Sequence, residues 1–441
     1  MSPTWAELIR AQWLGSDRPA VVTEDEVWSG DELLARAGSM ARWLDEAGFP
    51  RGAAVPTVVE SSPAAIALVL GGALSGRPVA PLNPREPVAG RVVTAADLTD
   101  VLPADPPPLA DAGDVVAVLH TSGTTGEPKP VVVRAAPLVA RIRTYDHVMA
   151  VGPGDRFCTF SPLHHTAGVT MILTVLARGT TVLPVPRFTV DRWRAIGSLG
   201  VTHALLVPTM IDLLLAEGAL TAAQPTVLQY GAAPIDPGTL RDALGALPAV
   251  EFLQVFGQTE ISPVTALFHA DHLRGLDDRP DLLTTVGRAV PGVELRLEDP
   301  DPDGIGELTI RAAHLLHTDP DGWHRTGDLG TVDADGYVRL HGRVGDRIVR
   351  GGENIYPAEI EHALAAHPGV REVAVVGIPD RRWGEVVKAV VVPADPAAPP
   401  EADDLIAFAR DRLAHFKVPT VIELTDALPR NPAGKVLRRA L

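Results

Sequence analysis

An α/β fold with a large N-terminal region and a small α+β unit at its C-terminal end is what the sequence predicts, and three observations carry the prediction. From Ala54 to about residue 285, short β-branched runs alternate with helical patterns, the texture of parallel strands joined by helices. Between 286 and 342 the texture changes to short strands, with Asp303-Gly304 and Asp335-Gly336 placed as hairpin turns. From about 346 a smaller unit follows, with a helix over 357–367, strands over 373–376 and 388–392, a polar loop at 394–403 and a helix over 403–415.

Each element has a local reason. Ser29-Gly30-Asp31-Glu32 is a capping box, and Leu33, Leu34, Ala37, Met40, Ala41 and Leu44 follow at helical spacing until Gly48 stops the helix. A strand over 54–59, a helix through 64–74 and a strand over 78–81 begin the alternation, while residues 95–113, dense in Ala, Asp and Pro, read as a linker or surface loop.

The bulk numbers exclude some classes. The 441 residues suit two or three units rather than one core. A formal net charge of −16 repels phosphate backbones, so nucleic acid is not an expected partner, and any nucleotide must be held by local devices. One cysteine, Cys158, leaves no internal disulfide and fits a reducing compartment. The start carries no signal-peptide pattern, and the longest apolar segments fall short of the roughly 20 residues that span a bilayer, so a cytoplasmic protein without membrane insertion is expected.

Between strand-like runs at 115–119 and 130–133 lies Thr121-Ser122-Gly123-Thr124-Thr125-Gly126-Glu127-Pro128-Lys129. Hydroxyls, two glycines and a lysine let backbone N–H groups and a charge converge on an anion; a flexible Ser/Thr/Gly turn is the plainer reading of composition alone. Pro128 stands where a Walker-type loop needs Gly, and no G-x-G-x-x-G occurs.

The full string resembles the phosphate loop of the adenylate-forming superfamily, which holds acyl-CoA synthetases, adenylation domains and beetle luciferases. Six further segments resemble the family's in its order: Pro162–Gly168 with His165 at the pocket mouth, Tyr230-Gly231-Ala232-Ala233-Pro234 along the adenine, Phe256-Gly257-Gln258-Thr259-Glu260, Trp323–Asp328, Gly342-Arg343 with 350–355, and Pro429–Lys435. The resemblance implies an α/β multi-subdomain fold. A large N-terminal domain over 1–343, of α/β layers plus a small β-barrel-like part, would bind ATP and the acid. A small mobile α+β C-terminal domain over 344–441 would carry the catalytic lysine.

It also implies roles. The loop with Thr121, Ser122, Gly123, Thr124, Thr125, Gly126 and Lys129 would hold the β- and γ-phosphates. Thr259 would touch phosphate, and Glu260 would hold Mg²⁺, a hard cation suited to a carboxylate. Lys435 would bridge the α-phosphate and the acyl carboxylate, where two anions must meet. Gly231, Ala232, Ala233, Phe256, Gly257 and Gln258 would border the nucleotide, Asp328 would accept from both ribose hydroxyls, and Arg343 would offer a planar fork beside it. His165 would gate the pocket near the carboxylate. His164 would point away, since neighbours on an extended segment face opposite sides. His120, His203 and His362 read as structural. Gly351 and Gly352 would line the path of a pantetheine thiol once the C-terminal domain has turned.

Two departures from the family stand out: Gly345 replaces the usual Asp or Lys of the hinge, and the stretch between Pro81 and the phosphate loop is short. The stretch 166–176 holds no acidic residue, against an α-amino acid substrate, and no basic one, weakly against a dicarboxylate. Val169, Met171, Ile172, Ala232 and Ala233 suggest an apolar or aromatic acid of modest size. The expected activity is ATP-dependent acid–CoA ligation. The alternative is an adenylating enzyme that loads a carrier-protein phosphopantetheine or another nucleophile, and an inactive nucleotide-binding module is the third class weighed.

Overall fold

The computed structural model describes residues 3–84, 90–98, 105, 115–122, 128–317, 321–430 and 436–441. It divides into two compact units, Met1–Glu294 with Ile310–His324 and Ala334–Val338, and Leu295–Thr309 with Arg325–Asp333 and Arg339–Leu441.

The first unit is built on two sheets. In the larger, strands Glu251–Phe256, Val227–Gly231, His203–Leu206, Arg156–Thr159, Thr181–Pro184 and Pro19–Val22 lie side by side and parallel. Antiparallel strands Thr265–Leu267 and Arg288–Ala289 flank one end and Val27–Ser29 the other. His203–Leu206 and Thr181–Pro184 are buried along their whole length, as parallel strands covered on both faces must be. The second sheet runs Val93–Thr94, Val55–Val58, Val79–Pro81, Val115–Ser122, Pro128–Arg134, the last two an antiparallel hairpin. Helix Val169–Ala177 is buried at every residue, which its uniformly apolar sequence requires.

The expected capping box closes: the Glu32 N–H donates to Ser29 Oγ and the Ser29 N–H to Glu32 Oε2, at the head of helix Gly30–Glu46. The structure adds a helix, Trp5–Trp13, that the sequence reading passed over. Thr4 and Glu7 form its capping box, and the Trp13 indole donates to Leu176 O at 2.8 Å.

The second unit carries a four-strand sheet in chain order, Val293–Glu298, Gly306–Ala312, His324–Val332 and Val338–Arg343, so the loops bearing Asp303-Gly304 and Asp335-Gly336 do join neighbouring strands. The rest is α+β: Ile348–Arg350, Glu353–Ile355, Val370–Asp380, Gly384–Pro393 and Val421–Leu424 in one sheet, with helices Pro357–Ala365 and Ala402–Arg410. No helix among the described residues is long and apolar enough to cross a membrane.

Candidate active site

In the large sheet Thr159 pairs with Leu205, Leu206 with Tyr230, and Gly231 with Val255. The chain therefore leaves the C-terminal ends of four strands on one edge, where open parallel sheets bind ligands. Three of the motif segments begin there: 160–168, 231–234 and 256–260. Gly231 is imposed by this packing, because a Cβ would stand 2.2 Å from Val255 O. The next residue, Ala232, has φ 67°, left-handed for a residue with a side chain, and both Ala232 and Ala233 are exposed.

Phe256, Gly257, Gln258, Thr259 and Glu260 are half-buried. Gln258 and Ile261 exchange backbone bonds of 2.6 and 3.2 Å, the His324 ring donates to Gln258 Oε1 at 3.2 Å, and the Leu316 N–H donates to Glu260 O at 2.9 Å. The backbone of Thr259 and Glu260 is thus fixed while the Glu260 side chain forms no ion pair among the described residues.

The histidine pair departs from expectation. Residues 162–168 are turns, not an extended segment: the His165 N–H donates to Pro162 O at 2.9 Å and the Gly168 N–H to His165 O. The two rings consequently lie together, centroids 4.5 Å apart, so His164 does not point away from His165. Burial, helped by the His165 ring, pushes His164 down to about 4 and keeps it neutral at pH 7. His203 is structural as expected, its Nε2 bonded to Ala150 O.

Sequence reasoning missed a second group. Arg141, on helix Ala135–Val148, lines a cavity with Thr170, Thr259, Glu260 and His314. His314 is buried, its Nε2 donates to Pro263 O at 2.7 Å, and its Nδ1 lies 3.4 Å from Thr144 Oγ1. Burial, reinforced by the Arg141 charge, lowers its pKa to about 4. The helix pattern could have shown Arg141: Leu138, Ile142 and Tyr145 form an apolar stripe, and Arg141 sits inside it. Val169, Met171 and Ile172, from which the sequence suggests an apolar or aromatic acid, are part of the hydrophobic core, and from their helix it is Thr170 that lines the cavity.

In the second unit, Arg343 Nη1 donates to Asp328 Oδ1 at 2.6 Å. Strand His324–Val332 holds Asp328 from behind: its N–H donates to Thr326 Oγ1 at 3.0 Å, Thr326 Oγ1 donates to Leu308 O at 2.7 Å, and the Gly327 N–H donates to Glu307 Oε1 at 3.0 Å. Gly351 and Gly352, φ 60° and 94°, form the two-residue turn between Ile348–Arg350 and Glu353–Ile355, which demands φ above zero at both. The space a Gly351 Cβ would take is filled by the Trp383 ring at 2.7 Å, so this glycine serves the fold; nothing lies within 4 Å at Gly352.

Thr121, Ser122 and Lys129 sit on the hairpin, Thr121 opposite Lys129 and Ser122 opposite Pro128. Gly123, Thr124, Thr125 and Gly126 of the phosphate loop, and Lys435, lie outside the described residues.

Residues 86–318 match the AMP-binding enzyme family and residues 359–435 the AMP-binding enzyme C-terminal domain. The fatty acid–[acyl-carrier-protein] ligase ScoC of Streptomyces coeruleorubidus is 34% identical over 96% of this chain and 92% of its own. A feruloyl-CoA synthase of an Amycolatopsis species is 35% identical over 79% of this chain and 74% of its own. Among solved structures, the amide bond synthetase McbA of Marinactinospora thermotolerans superposes with a TM-score of 0.85 at 29% identity, covering 99% of both chains. The chain belongs to the AMP-binding enzymes, the adenylate-forming superfamily, on the side of its acid–thiol ligases.

Proposed function

We propose that the protein activates a compact carboxylic acid with ATP as acyl-AMP, releasing pyrophosphate, and transfers the acyl group to the thiol of CoA. The observation that carries this reading is the strand edge of the first unit, where 160–168, 231–234 and 256–260 leave neighbouring parallel strands. A carboxylate must attack phosphorus that already carries negative charge, so the site needs cations and donors fixed before reaction. In this reading Lys129 and the 121–126 segment take the outer phosphates and Thr259 donates to phosphate. In the same reading His165 borders the acid carboxylate, and Lys435 supplies positive charge to the adenylation step. The exposed Ala232 and Ala233 and the half-buried Phe256 offer the adenine a flat face. Asp328, held by Arg343, accepts from the ribose hydroxyls.

Glu260 suits Mg²⁺: it is a hard oxygen ligand without an ion-pair partner among the described residues, and no cluster of three metal-ligating side chains occurs among them. One carboxylate suffices because Mg²⁺ keeps waters and phosphate oxygens as its other ligands, and bound there it neutralises charge on the phosphates. The domain boundary that serves the chemistry lies between 343 and 344, with Gly345 as hinge, and Gly352 borders the thiol path.

A second acceptor, the phosphopantetheine of a carrier protein, is favoured by the relative ScoC, which matches nearly the whole chain. Purified protein with Mg-ATP and a panel of acids should exchange labelled pyrophosphate into ATP. AMP release stimulated by CoA supports the first acceptor, and release stimulated only by a loaded carrier supports the second. No exchange with any acid, given folded protein, would refute the adenylation.

A further inference from the structure

Arg141 is 7% exposed, yet among the described residues the fold gives its guanidinium no counter-charge. Nη1 reaches Thr166 Oγ1 at a long 3.4 Å, the Tyr145 side chain adds a hydrogen bond and a ring face 5.3 Å from Cζ, and Nε has no partner. Among the described residues no carboxylate pairs with it. A buried cation without a counter-charge costs several kcal/mol, and burial here pulls the Arg141 pKa below its ordinary value. The surroundings do not relieve this. His314 is neutral, with its Nε2 proton committed to Pro263 O. Thr170 Oγ1 bonds Thr166 O at 2.5 Å and lies 2.9 Å from Thr166 Oγ1, so the hydroxyls beside Arg141 are tied to one another.

The same cavity is lined by Thr259 and Glu260, which the function proposed above assigns to the reacting end. Arg141, Thr259 and Glu260 line one small cavity with room for about one water, so an acid whose carboxylate lies toward Thr259 reaches Arg141 with its far end only if the lining side chains give way. We infer that the substrate is a compact acid bearing a second anionic group, a carboxylate or a sulfonate, which the Arg141 guanidinium receives in a fork. A planar guanidinium matches a two- or three-oxygen anion with parallel donors, and the desolvated setting strengthens the pairing. This inference rests on the adenylation reading. It reverses the sequence-based disfavour of dicarboxylates, because the basic residue comes from another helix rather than from 166–176.

The test uses matched acids: butanoate with succinate, propanoate with 3-sulfopropanoate, and 3-phenylpropanoate with 3-(2-carboxyphenyl)propanoate. In pyrophosphate exchange the wild type should favour the doubly charged member of at least one pair by about tenfold in kcat/KM, the factor a charge-assisted fork commonly gives. Arg141→Met, similar in length and without charge, should bring that ratio to near one, and Arg141→Lys should restore part of it. Calorimetry of the same acids with nucleotide-free protein reads the preference without turnover. If no acid supports exchange, the adenylation reading fails while binding still decides the inference. Arg141→Met should also melt no lower than wild type without acid, since it removes an unpaired buried charge. The inference is overturned by preference for the singly charged members, by a ratio unchanged in Arg141→Met, or by an effect of that variant confined to the KM for ATP.

Discussion

Replacing Arg343 with methionine separates orienting the Asp328 carboxylate, proposed above to take the ribose, from holding the fold. The Arg343–Asp328 bond is 2.6 Å, with the two side chains 49% and 11% exposed. A charge-assisted bond contributes about 1.5–3 kcal/mol when both partners are dry, but with the arginine half in water roughly 1 kcal/mol is the better figure. That lowers the melting temperature by only about 1 °C in a chain of this size. The backbone of Asp328 should not move, because the bonds at Thr326 and Gly327 do not involve Arg343. The Asp328 carboxylate, however, loses the Arg343 bond that helps to orient it. If it must accept two vicinal hydroxyls at once, the KM for ATP should rise about tenfold, equivalent to about 1.4 kcal/mol, with the KM for the acid little changed. Arg343→Lys should fall between, since a point charge cannot reproduce the fork. A double-mutant cycle with Asp328→Asn should show a coupling of about 1 kcal/mol in ATP binding. Additive effects, or a change confined to the acid KM, would refute the reasoning.

Lys435→Ala should slow adenylation by about 3 kcal/mol, near the effect of losing one preorganised donor, while thioester formation from supplied acyl-AMP persists; equal loss in both half-reactions would be inconsistent with a lysine used in the first step alone. Gly345 lies in the short turn Val344–Asp346, outside the left-handed region, with no atom within 4 Å of where a Cβ would stand, so Gly345→Asp should fold and turn over normally. Gly345→Pro disfavours the helical conformation of Val344 and fixes its own φ; pyrophosphate exchange should persist while thioester formation collapses, and a wild-type rate of thioester formation would place the hinge elsewhere. His272 and His314 are buried with pKa values lowered by desolvation to about 4, so the unfolded chain binds more protons below about pH 6.5. Stability should be complete above that value and fall as pH drops toward 4, by up to about 3 kcal/mol per histidine; denaturant unfolding at stepped pH checks this, and a flat profile would contradict it.

What the sequence made legible was local. The Ser29–Glu32 box, the turns at Asp303-Gly304 and Asp335-Gly336, and the motif segments are written in neighbouring residues, and the parallel sheet then sets 231–234 beside 256–260. What it hid depends on packing over long separations. Arg141 and His314 meet because helix Ala135–Val148 lies against the chain around Pro263, and no spacing encodes that. The His164–His165 reading failed because alternation was assumed where backbone bonds from His165 and Gly168 close turns. Gly351 was read as room for a ligand, whereas its φ and the Trp383 ring account for it. Helix Trp5–Trp13 was readable from its Thr4–Glu7 box and was overlooked.

Ala232 carries a consequence for anyone who would engineer this protein. Its left-handed backbone costs an alanine about 1–2 kcal/mol that a glycine would not incur, and the residue is exposed, so burial offsets little of that cost. A library ranked on thermal tolerance alone would therefore enrich glycine at 232. In the function proposed above, glycine there would forfeit an apolar contact to the adenine, so thermostability screens of this enzyme should be run with nucleotide present.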